Sequence, residues 1–126
     1  MVQWHGRSKR RASGGKVHKH RKKRKCELGR YFGETRQGET RRKIIRTRGN
    51  NRKVRLLQEK FANVTTKEGS TKRVEILDVV GNPADRNFAR RKIMTGGAMI
   101  RTELGVARIT SRPGQTGVIN AVVVPE

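Results

Sequence analysis

Positive charge constrains this chain more than any other feature of its sequence. Its 126 residues include 32 lysines and arginines against 10 aspartates and glutamates, a formal net charge of +22. Like charges at this density repel one another and oppose compaction unless an anionic partner neutralises them. We therefore expect the partner to be a polyanion, either nucleic acid or an acidic membrane surface.

The apolar residues do not favour a membrane. The longest uninterrupted apolar run is Ala121 to Val124, far short of the roughly 20 residues that a membrane-spanning helix needs. The first 25 residues hold eleven basic residues and no hydrophobic segment of a signal peptide. The single cysteine, Cys26, cannot form an internal disulfide, which fits a reducing compartment. These features predict a cytoplasmic protein with no membrane partner.

Charged and apolar residues divide the chain into two segments. Residues 1–40 carry thirteen basic and three acidic residues with almost nothing apolar, so burial cannot offset the entropy lost on ordering. We predict a basic, RNA-binding extension there that is flexible and disordered when free. Residues 41–126 carry nineteen basic and seven acidic residues, but short runs of Val, Ile and Leu recur between Gly, Asn and Pro. We predict an all-β domain over residues 41–126.

Seven runs in the second segment are predicted to be strands. Val54 and Leu56 alternate with Lys53 and Arg55, the period-two pattern of a strand with one buried face. Turn-forming residues separate the runs, and Asp85 could cap a short helix. A small closed or nearly closed β-barrel is the simplest architecture for so many short strands. The predicted strands are Ile44 to Arg48, Lys53 to Gln58, Phe61 to Thr66, Lys72 to Val80, Ala98 to Glu103, Val106 to Ser111 and Val118 to Val124.

Two basic clusters are candidate RNA-binding sites. The first lies in the extension and would release counterions on meeting phosphates, which gives a steep salt dependence. The second surrounds the first predicted hairpin, where strands would hold guanidinium groups rigidly. At its turn, Asn50 and Asn51 either contact nucleotides or serve the turn itself. The candidates are Arg7, Lys9, Arg10, Arg11, Lys16, Lys19, Arg21, Lys22, Lys23, Arg24, Lys25 and Arg30, and Arg41, Arg42, Lys43, Arg46, Arg48, Asn50, Asn51, Arg52, Lys53 and Arg55.

Simpler interpretations exist for each of these features. The first cluster could be a solvated charge run or a localisation signal, and the second a charged edge strand that prevents aggregation. Trp4 or His5 could stack on a base, although Trp4 could equally pack against the barrel. A DNA-compacting protein is the alternative function within the binding class.

No combination of residues predicts catalysis, a cofactor or a metal site. The acidic residues are isolated in sequence, and neither a phosphate-binding loop nor a nucleophile motif occurs. His18, His20 and Cys26 lack the fourth ligand and the paired spacing of a structural zinc site. We therefore predict a protein that is not an enzyme and has no small-molecule substrate. An RNA-processing enzyme with an unrecognised site is the alternative from another class.

Several strings of the sequence occur in an order that is more specific than any one of them. They are GGK at 14–16, KKRKCELGR at 22–30, RRKIIRTRGNNRKVRLL at 41–57, ILDVVGNPADRNFARRK at 76–92 and VARITSRPGQTGVINAVVV at 106–124. Together they resemble the archaeal and eukaryotic small-subunit ribosomal protein eight-e family, in its archaeal form. The resemblance implies a β-barrel with a basic amino-terminal extension, bound to small-subunit ribosomal RNA among neighbouring ribosomal proteins during and after assembly.

Overall fold

The computed structural model describes residues 3–124, so that Met1, Val2 and the last two residues lie outside the described range. The chain divides into two compact units, with the boundary in the sequence between Phe32 and Gly33. Strands predominate over helices, which confirms the predicted all-β class. None of the helices in the described range is long and apolar enough to cross a membrane. The disorder expected of residues 1–40 in the free chain stays a prediction.

The first unit contains a two-stranded antiparallel sheet. Strand β1 (Gln3–Trp4) pairs with strand β2 (Leu28–Gly29). Between them, Arg10 and Lys16 form an isolated antiparallel bridge, and a 3-10 helix, Lys25–Glu27, leads into β2. No residue from 3 to 32 is fully buried. Hydrogen bonds therefore organise this unit in place of an apolar core.

The second unit contains all seven predicted strands, each within three residues of its expected bounds. It also contains a short strand that the sequence did not predict, β3. The strands are β3 (Arg36–Gln37), β4 (Arg41–Arg46), β5 (Arg52–Glu59), β6 (Phe61–Thr65), β7 (Thr71–Gly81), β8 (Met99–Thr102), β9 (Gly105–Ile109) and β10 (Asn120–Val123).

Five of these strands close into a barrel in the order β10, β6, β7, β8, β9, which confirms the predicted architecture. Four of the neighbouring pairs are antiparallel. The fifth pair, β10 with β6, is parallel and places Asn120 beside Asn63 and Val122 beside Thr65. Closure pairs every barrel strand on both sides, so none presents an open edge to another chain.

Small and β-branched side chains fill the barrel. Because only five strands surround the interior, alanines alternate with larger residues to fit the limited space. Each buried isoleucine or valine stabilises the fold by about 1.5–3 kcal/mol relative to exposure. The buried core comprises Leu56, Ala62, Val64, Val74, Ile76, Val79, Met94, Ala98, Ile100, Ala107, Ile109, Ile119 and Ala121.

Strands β4 and β5 do not join the barrel but form a separate sheet in the order β3, β5, β4. The inner end of β5 is anchored, because Leu56 is fully buried in the barrel core. The hydroxyl of Thr35 donates a hydrogen bond to the carbonyl of Leu56 at 2.7 Å. The β4–β5 hairpin is therefore held to the barrel at its base.

Two short α-helices and a 3-10 helix between β4 and β5, Arg48–Asn50, complete the described part of the second unit. Helix α1 (Arg86–Arg90) begins after Asp85, whose carboxylate accepts a hydrogen bond from the backbone N–H of Asn87 at 2.8 Å. This is the capping role predicted from the sequence. Helix α2 (Pro113–Thr116) was not predicted, although its proline stands at the first helical turn, where proline is favoured. It packs against β5.

Candidate nucleic-acid interface

All twelve cations of the first cluster are exposed on the first unit. The only carboxylate between residues 3 and 32 belongs to Glu27. Its Oε1 accepts a hydrogen bond from Arg21 at 2.5 Å, and its Oε2 accepts one from the backbone N–H of Arg24 at 3.3 Å. Both hydrogen bonds lower the pKa of Glu27, and the bond from Arg21 has the larger effect. One carboxylate cannot neutralise twelve cations, so the unit keeps a strongly positive surface.

The two aromatic candidates of the extension differ in their surroundings. The ammonium of Lys23 lies 4.9 Å from the centre of the Trp4 ring, a cation–π contact, and Trp4 remains 39% exposed. The imidazole of His5 lies so close to Gly29 that a β-carbon there would be 2.2 Å from its Nε2. Packing against Gly29 leaves His5 less free than Trp4 to stack on a base. Stacking of either ring on RNA stays a prediction.

Strand alternation distributes the cations of the hairpin between its two faces. Arg46 lies opposite Arg52, and Arg42 lies opposite the buried Leu56. Because paired residues of antiparallel strands share a face, these three arginines belong to the face that enters the core at its base. Lys43 lies opposite Arg55, and Lys53 opposite Ile45, on the other face. The hairpin therefore carries positive charge on both sides.

Arg42 is oriented by a buried carboxylate. Glu59 is only 3% exposed, and its Oε2 lies 3.0 Å from the guanidinium of Arg42. The hydroxyl of Thr40 donates to the other carboxylate oxygen at 2.6 Å. The Arg42 side chain as a whole remains 46% accessible. One end of the cluster is thus fixed in direction while it still faces solvent.

The two asparagines at the tip of the hairpin differ in how they contribute to the turn. Gly49 and Asn50 adopt positive φ angles of 70° and 59°, a region that glycine and asparagine tolerate best. The Nδ2 of Asn51 donates to the carbonyl of Arg48 at 3.3 Å. Asn51 therefore stabilises the turn directly, while the side chain of Asn50 is exposed at the tip. RNA contact by either residue stays a prediction.

A third basic group follows helix α1 and was not among the sequence candidates. Arg91 binds Glu34 at 2.5 Å and Lys92 binds Asp78 at 2.7 Å. Glu34 also accepts from Arg36, whose hydrogen bond is the main cause of its lowered pKa. The pKa of Asp78 is lowered chiefly by Lys92. The run Arg90 to Lys92 was visible in the sequence, but its pairing with distant carboxylates was not.

Within residues 3–124, no three His, Cys, Asp or Glu side chains lie together in a way that could hold a metal ion. Cys26 is exposed and unbridged. The functional groups that cluster on the described surface are therefore the lysine and arginine cations. Fold and surface together define a class: small, strongly basic β-barrel proteins suited to a polyanionic partner.

The family within that class is given by the sequence. The model of the family described as ribosomal protein S8e matches residues 4–124. The chain belongs to this family of ribosomal proteins.

Curated relatives agree over nearly the whole length. The protein named small ribosomal subunit protein eS8 of Methanosarcina barkeri is 51% identical over 98% of this chain and 99% of its own length. Those of Methanoculleus marisnigri and Methanospirillum hungatei are 50% and 52% identical, with 97% and 98% of this chain covered and 98% and 99% of their own lengths. These archaeal relatives confirm the predicted family in its archaeal form. The family is structural and not enzymatic, as the sequence predicted.

Proposed function

We propose that this chain is a structural constituent of the small ribosomal subunit, which binds ribosomal RNA through its two basic clusters and supports subunit assembly and translation in the cytoplasm. Contacts with neighbouring ribosomal proteins complete its place there. The observation that carries the proposal is the excess of exposed cations over carboxylates on both units. A polyanion relieves the repulsion among these cations, and family membership makes ribosomal RNA that polyanion.

The two clusters contribute differently to binding. The first cluster, including the string at 19–25, follows the RNA backbone and supplies affinity that falls steeply with salt, because each neutralised phosphate releases counterions. The extension of residues 1–40 orders on this contact. The β4–β5 hairpin is rigid at its base, through Leu56 and Glu59. It therefore recognises the shape of folded RNA and fixes the orientation of the barrel.

Charge removal from the first cluster tests this proposal. Replacing Lys19, Lys22, Lys23 and Lys25 by glutamine leaves the Arg21–Glu27 ion pair intact. The slope of log K against log salt for ribosomal RNA is expected to become shallower by roughly 3, since about 0.7–0.9 is lost for each phosphate contact. Titration of the labelled RNA at several salt concentrations measures the slope.

Lys67→Gln provides the control, because Lys67 is exposed in the β6–β7 turn and lies outside both clusters. Its expected effect on the slope is much smaller per charge removed. A quadruple variant with the slope of the parent protein would contradict the role of the first cluster. A parent protein that failed to co-sediment with small subunits would contradict the whole proposal.

A further inference from the structure

Two rows of side chains cross the outside of the barrel and belong to neither basic cluster. The first, the amide row, crosses β7, β6 and β10 through Arg73, Asn63 and Asn120, and ends at Thr110, the residue after β9. Asn63 pairs with Arg73 on one side and with Asn120 on the other. The backbone N–H of Thr110 donates to the carbonyl of Asn120 at 2.9 Å. Each of the four has a chain neighbour in the buried core, so alternation turns these four side chains outward; the neighbours are Val74, Ala62, Ala121 and Ile109.

The second row, the hydroxyl row, lies next to the first and runs through Thr71, Thr65, Val122 and Arg108. None of the eight residues in the two rows is acidic. Within these rows, every side chain from the central strands β6 and β10 is neutral. The strand on each side, β7 or β9, contributes one arginine. Val122, in the middle of the hydroxyl row, is apolar and 43% exposed, while the other central side chains are polar. The outer face is thus an uncharged and largely polar ridge with cations on both sides.

Contacts within the rows hold these side chains in place. The Nδ2 of Asn63 donates to the Oδ1 of Asn120 at 3.0 Å, and the hydroxyls of Thr65 and Thr71 lie 3.1 Å apart. The guanidinium of Arg73 stacks 4.6 Å from the ring centre of Phe61. An amide has two donor hydrogens and an acceptor oxygen. The asparagine pair therefore retains the oxygen of Asn63 and the amide hydrogens of Asn120 for an external partner.

The form of this surface matches one kind of RNA. An A-form duplex presents a wide, shallow minor groove lined by ribose 2′-hydroxyls, which both donate and accept hydrogen bonds, between two phosphate strands. A convex ridge of amides and hydroxyls complements the groove, and the flanking arginines complement the phosphates. Glu75, which follows on β7, is neutralised by Lys60 at 3.1 Å.

An open groove on the β9 side of the ridge, lined in part by residues of both rows, offers room for one of the phosphate strands. It has a volume of about 590 Å³, and its lining includes Gly96, Gly97, Arg108, Thr110 and Val122. The guanidinium of Arg108 offers donors for phosphate and sugar oxygens. The hydroxyl of Thr110 donates its hydrogen to the carbonyl of Asn120 at 3.2 Å and keeps its oxygen as an acceptor for a ribose 2′-hydroxyl. The groove adjoins β9, the strand that flanks the ridge.

We propose that the outer face of β6 and β10, with its flanks on β7 and β9, binds the minor groove of an A-form RNA duplex through ribose 2′-hydroxyls. This inference rests on the proposed function, because it takes RNA as the partner. It adds a third contact surface and specifies the form of RNA that the surface accepts. Unlike phosphate contacts, which RNA and DNA both offer, contacts with ribose 2′-hydroxyls distinguish RNA from DNA.

The test uses the full chain and the double substitution Thr65→Val with Asn120→Leu, which removes hydrogen-bonding groups and no charge. The probes are an RNA duplex of about 16 base pairs, which spans two successive minor grooves, the same duplex with 2′-O-methyl riboses, and the DNA duplex of the same sequence. The parent protein is expected to bind the unmodified RNA most tightly. The double substitution should weaken that binding by roughly tenfold or more, the loss of two net hydrogen bonds, and leave binding to the other two duplexes unchanged.

Two further variants keep the result interpretable. Asn87→Leu makes the same change at an exposed position of α1 and should leave all affinities unchanged. Arg108→Gln should weaken binding to every duplex and make the salt slope shallower by about 1. Equal RNA affinity for the parent and the double variant would overturn the inference, as would an equal loss towards RNA and DNA. Either result leaves the proposed function standing if the quadruple lysine variant still changes the salt slope for ribosomal RNA.

Discussion

Glu59 orients a solvent-facing cation from inside the protein. Its carboxylate is buried beside Thr40, and the guanidinium of Arg42 reaches it from the surface. Removing a buried charged acceptor leaves the groups that were bonded to it without a partner. This costs more folding free energy than the loss of an exposed ion pair. The same pair therefore serves both the stability of the fold and the direction of one cation in the hairpin.

We expect Glu59→Gln to lower the free energy of unfolding by roughly 1–3 kcal/mol, because Arg42 loses its charged partner. Glu75→Gln removes the carboxylate that pairs with Lys60, and with 38% of the Glu75 side chain exposed we expect a cost below about 1 kcal/mol. Urea denaturation of the two variants and the parent protein measures both values. Equal costs would contradict the anchoring role of Glu59.

Strand β7 shows where prediction from the sequence succeeds and where it fails. The run from Lys72 to Val80 predicted the strand, and Val74 and Ile76, which alternate with Glu75 in the sequence, are both buried. A strict period of two would then have turned Asp78 into the barrel. Irregularities in the pairing with β8 shift the phase, so that Val79 is buried instead.

These irregularities explain why two large apolar side chains of β7 are exposed. Leu77 and Val80 have no partner in the register with β8, and each is 52% exposed. The Nε2 of Gln37, from β3, donates to the carbonyl of Leu77 at 3.1 Å. A bulge of this kind depends on contacts between strands that are distant in sequence. The local sequence pattern predicts the strand but not which of its residues face the core. For the same reason, it does not predict that β4 and β5 form a sheet apart from the barrel.

The candidate site was predictable to a similar degree. Composition located both basic clusters, since they are continuous in sequence and their cations are largely exposed. The amide and hydroxyl rows escaped detection, because Asn63 and Asn120 are brought together only by closure of the barrel. Neither residue belongs to a motif on its own. Surfaces assembled from several strands require the fold before they can be recognised.

The contact between α2 and β5 can be tested at one glycine. Gly117 has a φ of 74°, and a β-carbon there would lie 2.6 Å from the Cγ1 of Val54. We expect Gly117→Ala to destabilise the protein by about 2–4 kcal/mol, because backbone strain adds to the steric clash. Gly69→Ala, at a φ of 83° with open space around it, should cost about 1–2 kcal/mol from strain alone. Thermal unfolding of both variants measures the difference, and equal losses would contradict close packing of α2 on β5.

At the scale of the whole molecule, carboxylates are few, and several of them form ion pairs with one or two cations. Glu34 holds Arg36 and Arg91, while Asp78 holds Lys92. These bonds lower the pKa of both carboxyls in the folded protein. The stabilisation is complete above their ordinary pKa values of 4.5 and 3.8, and it is lost as the pH falls through the lowered values.

We accordingly expect the melting temperature to decline as the pH is lowered from about 4.5. Glu34→Gln combined with Asp78→Asn should reduce the stability near neutral pH and make the decline less steep, because two of the titrating groups are gone. Calorimetric scans between pH 6 and pH 2, at constant ionic strength, compare the two proteins. Curves of identical shape would show that these carboxyls do not contribute to the acid sensitivity.

The parallel pairing of β10 with β6 has a consequence for biosynthesis. These strands lie more than fifty residues apart in the chain, so a nascent polypeptide that lacks β10 leaves one side of both β6 and β9 without a partner. Such open strands invite pairing between chains, all the more on a polysome, where many copies emerge close together. We expect the like-signed charge along every copy to oppose such pairing during this interval. The charge repulsion that opposes folding should therefore also reduce self-association until β10 has been synthesised.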